Sequence, residues 1–233
     1  MNGFSGIVSD FFGLIFPQIC PSCGINLYYN ENILCSRCLL ELPLTYITDF
    51  EDNIVAELFW GRVPVKHCTS YFFYIKDSKY QNIIHRLKYE GKRNIGTEMG
   101  RMFGTTLTTT PFSSADIVIP VPLHRKKLHQ RGFNQSELIA EGIAEKLGIP
   151  MVPGLIERIR YSATQTSRSR YERWENVEGI FQVRRPQSLS GKHVLLVDDV
   201  VTTGSTLEAC SNEILKVKGT SVSIATLAVV KRE

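Results

Sequence analysis

The hydrophobic and polar positions of this chain change period several times, and each change marks an element. From residue 69 onward, short apolar runs alternate with segments of helical spacing. Strands are predicted at 69–75, 116–121, 179–184, 192–198 and 221–230, where β-branched and aromatic residues cluster between turn residues. Between the first two, Ile83, Ile84 and Leu87 share a helical face, with Lys79, Arg86 and Lys88 off it. "NQSELIAEGIAEKLG" is a helix with both ends marked: Asn134 caps it, Glu137 stands at the capping-box position and Gly148 stops it. "STLEACSNEILKVKG" is a further helix, closed by Gly219, and "GTTLTTTPFSS" at 104–114 is a helix end running into a turn at Pro111. Strands alternating with helices predict an α/β fold, with a mostly parallel sheet covered by helices on both faces.

The start of the chain follows a different rule. Phe4, Ile7, Phe11, Leu14 and Ile15 share helical spacing, which predicts a short helix docking on the body. It does not read as a secretion signal: no basic flank precedes it, Asp10 interrupts the apolar run and no small-residue cleavage site follows. No run of 18 or more apolar residues exists, so membrane insertion is not expected and a cytoplasmic location is. The expected organisation is an N-terminal helix and four-cysteine module at 1–45, an acidic connector at 46–66 and an α/β domain at 67–233.

Composition changes this picture in one respect. With 233 residues, 43% hydrophobic and 21% charged, the chain is an ordinary globular protein, which excludes wholesale disorder. The net charge of +4 is spread unevenly: 76–131 holds eleven Lys/Arg against four Asp/Glu, whereas 41–57 is acidic. A basic region in a nearly balanced chain points to polyanions such as phosphates, nucleotides or nucleic acid.

Cys20, Cys23, Cys35 and Cys38 form two C-x₂-C pairs, "CPSCG" and "CSRC", eleven residues apart. Two thiolates two residues apart can bind one ion from a single turn, and a second such knuckle completes a tetrahedron. A structural Zn²⁺ is the expected occupant. The competing readings are two disulfides, which nothing in a chain without a secretion signal supports, and a thioredoxin-like redox motif, around which the required βαβ pattern is missing. Cys68 and Cys210 read as ordinary buried thiols.

The second concentration of chemistry is "VLLVDDVVTTGST", 194–206. Four apolar residues predict a buried central strand, with Asp198 and Asp199 at its carboxyl end, where ligands of such sheets sit. Val201, Thr202, Thr203, Gly204, Ser205 and Thr206 follow as a tight turn into a helix. Backbone N–H groups of such a turn converge on an anion, and the helix N-terminus adds positive potential. Acceptors for hydroxyls or a metal thus stand beside donors for a phosphate, a combination that suits a sugar phosphate. A Walker B strand is the rival, but no G-x-x-x-x-G-K-[ST] accompanies it. A receiver domain would need more strands downstream, and a plain helix cap would not need five hydroxyl or glycine positions.

Two basic stretches remain. In "IVIPVPLHRKKLHQRGFNQSE", Pro120 and Pro122 end a strand before Arg125, Lys126, Lys127 and Arg131 arrive with His124 and His129. In "TQTSRSRYERWENVEGIF", Arg168, Arg170 and Arg173 alternate with Tyr171 and Trp174. Both patterns suit nucleic acid, and both also suit a solvated face with its aromatic residues packed inward. "HRLKYEGK" adds Lys88 beside Tyr89.

"VLLVDDVVTTGST" resembles the phosphoribosyl pyrophosphate signature of type I phosphoribosyltransferases. In that family the paired acids take the ribose hydroxyls and the loop takes the 5′-phosphate, which assigns Asp198 and Asp199 to the sugar and 201–206 to the phosphate. CPSCG…CSRC, LKYEGK, PVPLHRKKLHQRGFNQSE, the TQT segment and DDVVTTGST, in that order, resemble the ComF family of competence-associated proteins over nearly the whole chain. The resemblance implies a type I phosphoribosyltransferase-like domain behind a zinc-knuckle module. It places Arg131, Gly132, Phe133 (an unexpected apolar residue in that basic stretch), Asn134, Gln135, Gln165, Arg173 and Asn176 at the site or its rim, with Arg125, Lys126, Lys127 and Lys88 as contacts to pyrophosphate or nucleic acid. Arg168 departs from the family, which has leucine there.

The resemblance also implies a function: binding of phosphoribosyl pyrophosphate or a nucleotide by a cytoplasmic accessory of DNA uptake in natural transformation. Single-stranded DNA and a DNA-uptake helicase or other competence proteins are the implied partners. The alternative is an active, pyrophosphate-releasing phosphoribosyltransferase that moves ribose 5-phosphate to an acceptor, with Mg²⁺ on the pyrophosphate.

Overall fold

The computed structural model describes residues 18–159 and 179–231. The expected docking helix at the start lies outside the described residues, as do Gln165, Arg168, Arg173 and Asn176. In chain order the elements are α1 (Ser36–Leu40), β1 (Cys68–Tyr74), α2 (Gln81–Tyr89), α3 (Arg93–Leu107), β2 (Ile117–Pro120), α4 (Arg125–Arg131) and α5 (Gln135–Leu147). They continue with β3 (Ile156–Arg158), β4 (Phe181–Val183), β5 (His193–Val201), α6 (Ser205–Leu215) and β6 (Ser221–Val230).

The main sheet has four strands in the order β1-β6-β5-β2, and every neighbouring pair is parallel. Val194, Leu195, Leu196 and Val197 of β5 are fully buried, as a continuous apolar run between two neighbours must be. One face packs Leu195, Val197 and Leu227 against Ile83 and Leu87 of α2, Met99 and Phe103 of α3, and Ile139 and Ile143 of α5. The other packs Ile119, Leu196 and Ile224 against Leu207, Cys210 and Ile214 of α6. This is the expected type I phosphoribosyltransferase architecture, a parallel sheet with helices on both faces.

Three local expectations are corrected. The strand expected at 179–184 does not join the main sheet; its central part, β4, pairs antiparallel with β3 as a separate ribbon. Phe181 turns inward while Gln182 faces solvent, and that alternation suits a ribbon with one wet face. Second, β5 runs on through the acid pair to Val201, with Asp198 opposite Thr226 and Val200 opposite Ala228 on β6. Third, the acidic stretch expected as a connector supplies buried Val55, Phe59 and Val63 to the α6 side of the core. Its apolar residues were hidden among acids that face outward.

Helices α3 and α5 pack at unusually close range. A Cβ on Gly100 would stand 2.3 Å from the Ile139 carbonyl oxygen, and one on Gly142 would stand 2.2 Å from that of Thr97. Glycines at these positions let the two backbones touch. Asn134 caps that helix as expected, accepting from the Ser136 N–H at 3.1 Å, and Gly148 closes it in the left-handed region. Among the described residues no helix is long and apolar enough to cross a membrane.

Candidate functional site

Four chain segments meet at the carboxyl end of β5. Asp198 Oδ1 accepts hydrogen bonds from Ser136 Oγ at 2.8 Å and from the Asp199 N–H at 2.9 Å. Asp199 is buried, its Oδ1 accepts from the Val200 N–H at 2.6 Å, and Lys88 Nζ lies 2.8 Å from its Oδ2, an ion pair without hydrogen-bond alignment. Burial, reinforced by the neighbouring Asp199 charge, pushes the Asp198 carboxyl up to about 7. Such a group holds its proton more tightly when folded. It therefore favours the folded state below its ordinary value of 3.8, and that contribution is lost as pH rises through about 7. Asp198→Asn, which cannot ionise, is expected to raise the melting temperature over the parent at pH 7.5, by about 2–4 °C for each kcal/mol relieved, and to match it near pH 4. Thermal unfolding of both proteins at the two pH values checks this.

Beyond β5 the chain turns through Thr202 and Thr203, both exposed, to Gly204 at φ +76° and into α6. Thr203 Oγ1 and Ser205 Oγ lie 3.0 Å apart at the mouth of the turn. Asp198, Val201, Thr202, Thr203, Gly204, Ser205 and Thr206 line a small hollow of about 50 Å³. The Asp198 carboxylate and the hydroxyl donors of the turn therefore share one cavity, and Asp199 is buried behind it. Wider hollows, of about 410 Å³ beside Trp60 and about 460 Å³ beside Pro186, are lined by other residues.

The fold brings several of the expected residues here. Lys88 arrives from the last turn of α2, and the Arg131 guanidinium sits 5.3 Å from the centre of the Tyr89 ring while donating to Gln135 Oε1 at 2.8 Å. Asn134 is buried, its amide donating to the Val121 carbonyl at 3.0 Å. Phe133, the unexpected apolar residue of the basic stretch, is buried in the core. By contrast α4, which carries Arg125, Lys126 and Lys127, buries none of its residues, and Arg125 approaches Glu157 of β3 at 3.9 Å. Sequence reasoning missed Ser136, and it missed the segment beneath the turn. Phe59 and Leu58 occupy the space that a side chain at position 204 would need, with Phe59 Cε1 2.9 Å from a Cβ built there.

The cysteine module is a second centre. The turn from Cys20 closes through Gly24 N–H to the Cys20 carbonyl at 2.9 Å, and Cys35 Sγ caps α1 by accepting from the Cys38 N–H at 3.4 Å. The Sγ atoms of Cys20, Cys23, Cys35 and Cys38 all lie within 4.8 Å of one another, and Cys23 and Cys35 are 3.7 Å apart. A disulfide needs about 2.05 Å, whereas the edge of a zinc–thiolate tetrahedron is about 3.8 Å. The four thiols thus fit one tetrahedral metal ion. At Cys20 burial opposes ionisation, but N–H donors from Cys23, Cys35 and Ser22 outweigh it and bring the thiol down to about 7. Ser22 also ties the module to the body: its hydroxyl donates to the Lys79 carbonyl at 3.2 Å, and its carbonyl accepts from Asn82 Nδ2 at 2.9 Å. Cys68 and Cys210 are buried thiols, and burial pushes Cys68 up to about 12.

Residues 134–233, from the start of α5 to the end of the chain, match the Phosphoribosyl transferase domain family. That stretch contains both acids and the whole turn. Longer matches run over most of the chain. The chain is 27% identical to the DNA utilization protein YhgH of Salmonella typhimurium, over 89% of this chain and 82% of that protein. It is 26% identical to Competence protein F of Haemophilus influenzae, over 90% and 96% of the two chains. It is also 25% identical to Competence protein ComFC of Bacillus subtilis, over 93% and 79%. The chain resembles the ComF competence proteins over most of its length. The matched stretch carries Ser136, the acids and the turn, whereas Lys88, Arg131 and the cysteine module lie in the segments before it.

Proposed function

We propose that this chain is a ComF-type protein that binds the ribose 5-phosphate part of phosphoribosyl pyrophosphate or of a nucleotide at the end of β5. The observation that carries the reading is the shared cavity of Asp198 and the 201–206 turn. Ribose hydroxyls donate to the carboxylates, and the phosphate accepts from the turn. Mg²⁺ enters with the pyrophosphate, and the carboxylate oxygens are donors of the kind it prefers. Titration calorimetry of the whole chain with phosphoribosyl pyrophosphate and Mg²⁺ tests this, and absence of heat with both that ligand and ribose 5-phosphate would overturn it.

The names of relatives, "Competence protein F" and "DNA utilization protein", support a role in competence or DNA utilization, which we extend to a cytoplasmic accessory of DNA uptake with single-stranded DNA as a ligand. The exposed basic helix α4 suits phosphates without sequence preference. Reversing Lys126 and Lys127 to glutamate is expected to weaken all oligonucleotides alike, by about tenfold at low salt, and to flatten the dependence of affinity on salt. Fluorescence anisotropy across a salt series reads this out, and an unchanged slope would return α4 to a plain solvated helix.

A second reading is an enzyme: Asp198 lines the cavity, is oriented by Ser136 Oγ and the Asp199 N–H, and is pushed by burial towards neutrality, which suits general acid–base chemistry. In that reading the bond from the ribose anomeric carbon to pyrophosphate breaks, a bond to the acceptor forms and the acceptor loses a proton. Pyrophosphate release in the presence of a panel of amines and bases distinguishes the two.

A further inference from the structure

Arg62 stands outside the matched domain stretch and 141 residues before the phosphate turn, yet it is bonded to it. Its Nη1 donates to the Leu58 carbonyl at 2.7 Å and to the Thr203 carbonyl at 2.9 Å, and its Nη2 pairs with the Glu208 carboxylate in the first turns of α6. The guanidinium thus spans Gly204, touching the chain before it and the helix after it. Phe59, fully buried, fills the space beneath Gly204, and the Arg62 and Val63 N–H groups both donate to the Phe59 carbonyl, at 3.0 and 3.1 Å. The segment 58–63 is a template on which the turn is moulded.

From this geometry we infer that Arg62 is a positioning residue for the phosphate turn, acting through the Thr203 carbonyl and Glu208 rather than by touching the ligand. The inference rests on the proposed phosphate site. In a trans peptide the carbonyl and the following N–H point in opposite directions. Holding the Thr203 carbonyl on the Arg62 side therefore directs the Gly204 N–H away from Arg62, into the turn. An anion site made of backbone donors gains affinity from having those donors fixed beforehand, because ordering them on binding would cost entropy. The Glu208 carboxylate neutralises the guanidinium, so the pair adds little net positive field. Its role is geometric.

The charge of Glu208 makes the inference testable by sign. If Arg62 worked through its field on a bound phosphate, removing the nearby negative charge would strengthen phosphate binding. If it works by holding the turn, Glu208→Gln weakens the bridge and therefore weakens binding. Calorimetry with phosphoribosyl pyrophosphate and Mg²⁺ is expected to show at least a tenfold loss for Arg62→Ala and a several-fold loss for Glu208→Gln. Arg62→Lys, which keeps the charge but cannot span three acceptors, should recover only a small part of the loss.

A second readout needs no ligand. Amide hydrogen exchange in the unliganded chain should quicken at 202–206 in Arg62→Ala while the strands of the main sheet keep their protection. Equal or tighter binding by Glu208→Gln would overturn the inference, as would parental exchange rates in Arg62→Ala. Should the parent itself fail to bind, the proposed phosphate site fails, and the exchange experiment alone still decides whether Arg62 holds the turn.

Discussion

Replacing Cys38 with serine is expected to release the metal from the cysteine module and to unfold that module, the largest single effect in the chain. Cys38 is fully buried and lies with Cys20 and Cys35 in the same core cluster as Ile83 and Leu87 of α2. A hydroxyl is a poor zinc ligand, and four thiolates hold structural zinc with an apparent free energy of about 10–16 kcal/mol in isolated knuckles, most of which is folding free energy. The module has few apolar residues of its own to replace that. Mass spectrometry of metals should find close to one zinc per chain in the parent and almost none in the variant, with a lower melting temperature. Parent protein prepared without chelator and found free of zinc would end the reading. The damage should also travel. Ser22 holds the start of α2, and the last turn of α2 delivers Lys88 to Asp199. Loss of metal should therefore weaken phosphoribosyl pyrophosphate as well.

The double replacement Asp198→Asn with Asp199→Asn should cost at least tenfold in affinity for phosphoribosyl pyrophosphate. Shape is kept, but two acceptors become amides that also donate. Asp198, which lines the cavity, is oriented by Ser136 Oγ and the Asp199 N–H, and Asp199 is held behind it by the Val200 N–H and Lys88. A charge-assisted hydrogen bond is worth roughly 1.5–3 kcal/mol, and about 1.4 kcal/mol is a tenfold change. Lys88 would in addition lose its anionic partner. Titration calorimetry on parent and variant gives the answer directly, and equal affinity would leave the acids as structural groups at a strand end.

What could be read from the sequence is what is decided by residues close together in it. Asn134 and Gly148 bound α5 because a cap accepts from an N–H two residues on and a stop needs only a left-handed φ. The C-x₂-C pairs announce a metal site because each knuckle is one turn, and Val194 to Val197 announce a central strand because both their faces must be apolar. Asp198 and the turn that follows are nearly contiguous, so sequence alone could place them side by side. The tertiary structure alone decided the rest. It took β4 out of the sheet, brought Ser136 to Asp198 across 62 residues and Lys88 to Asp199, and slid Phe59 and Arg62 under the phosphate turn. It also left α4 in solvent, where a run of basic residues looks the same as one that lines a site. Each of these outcomes depends on partners distant in sequence, chosen by packing of the whole core, and a local pattern of apolar and polar residues carries no record of which partner wins.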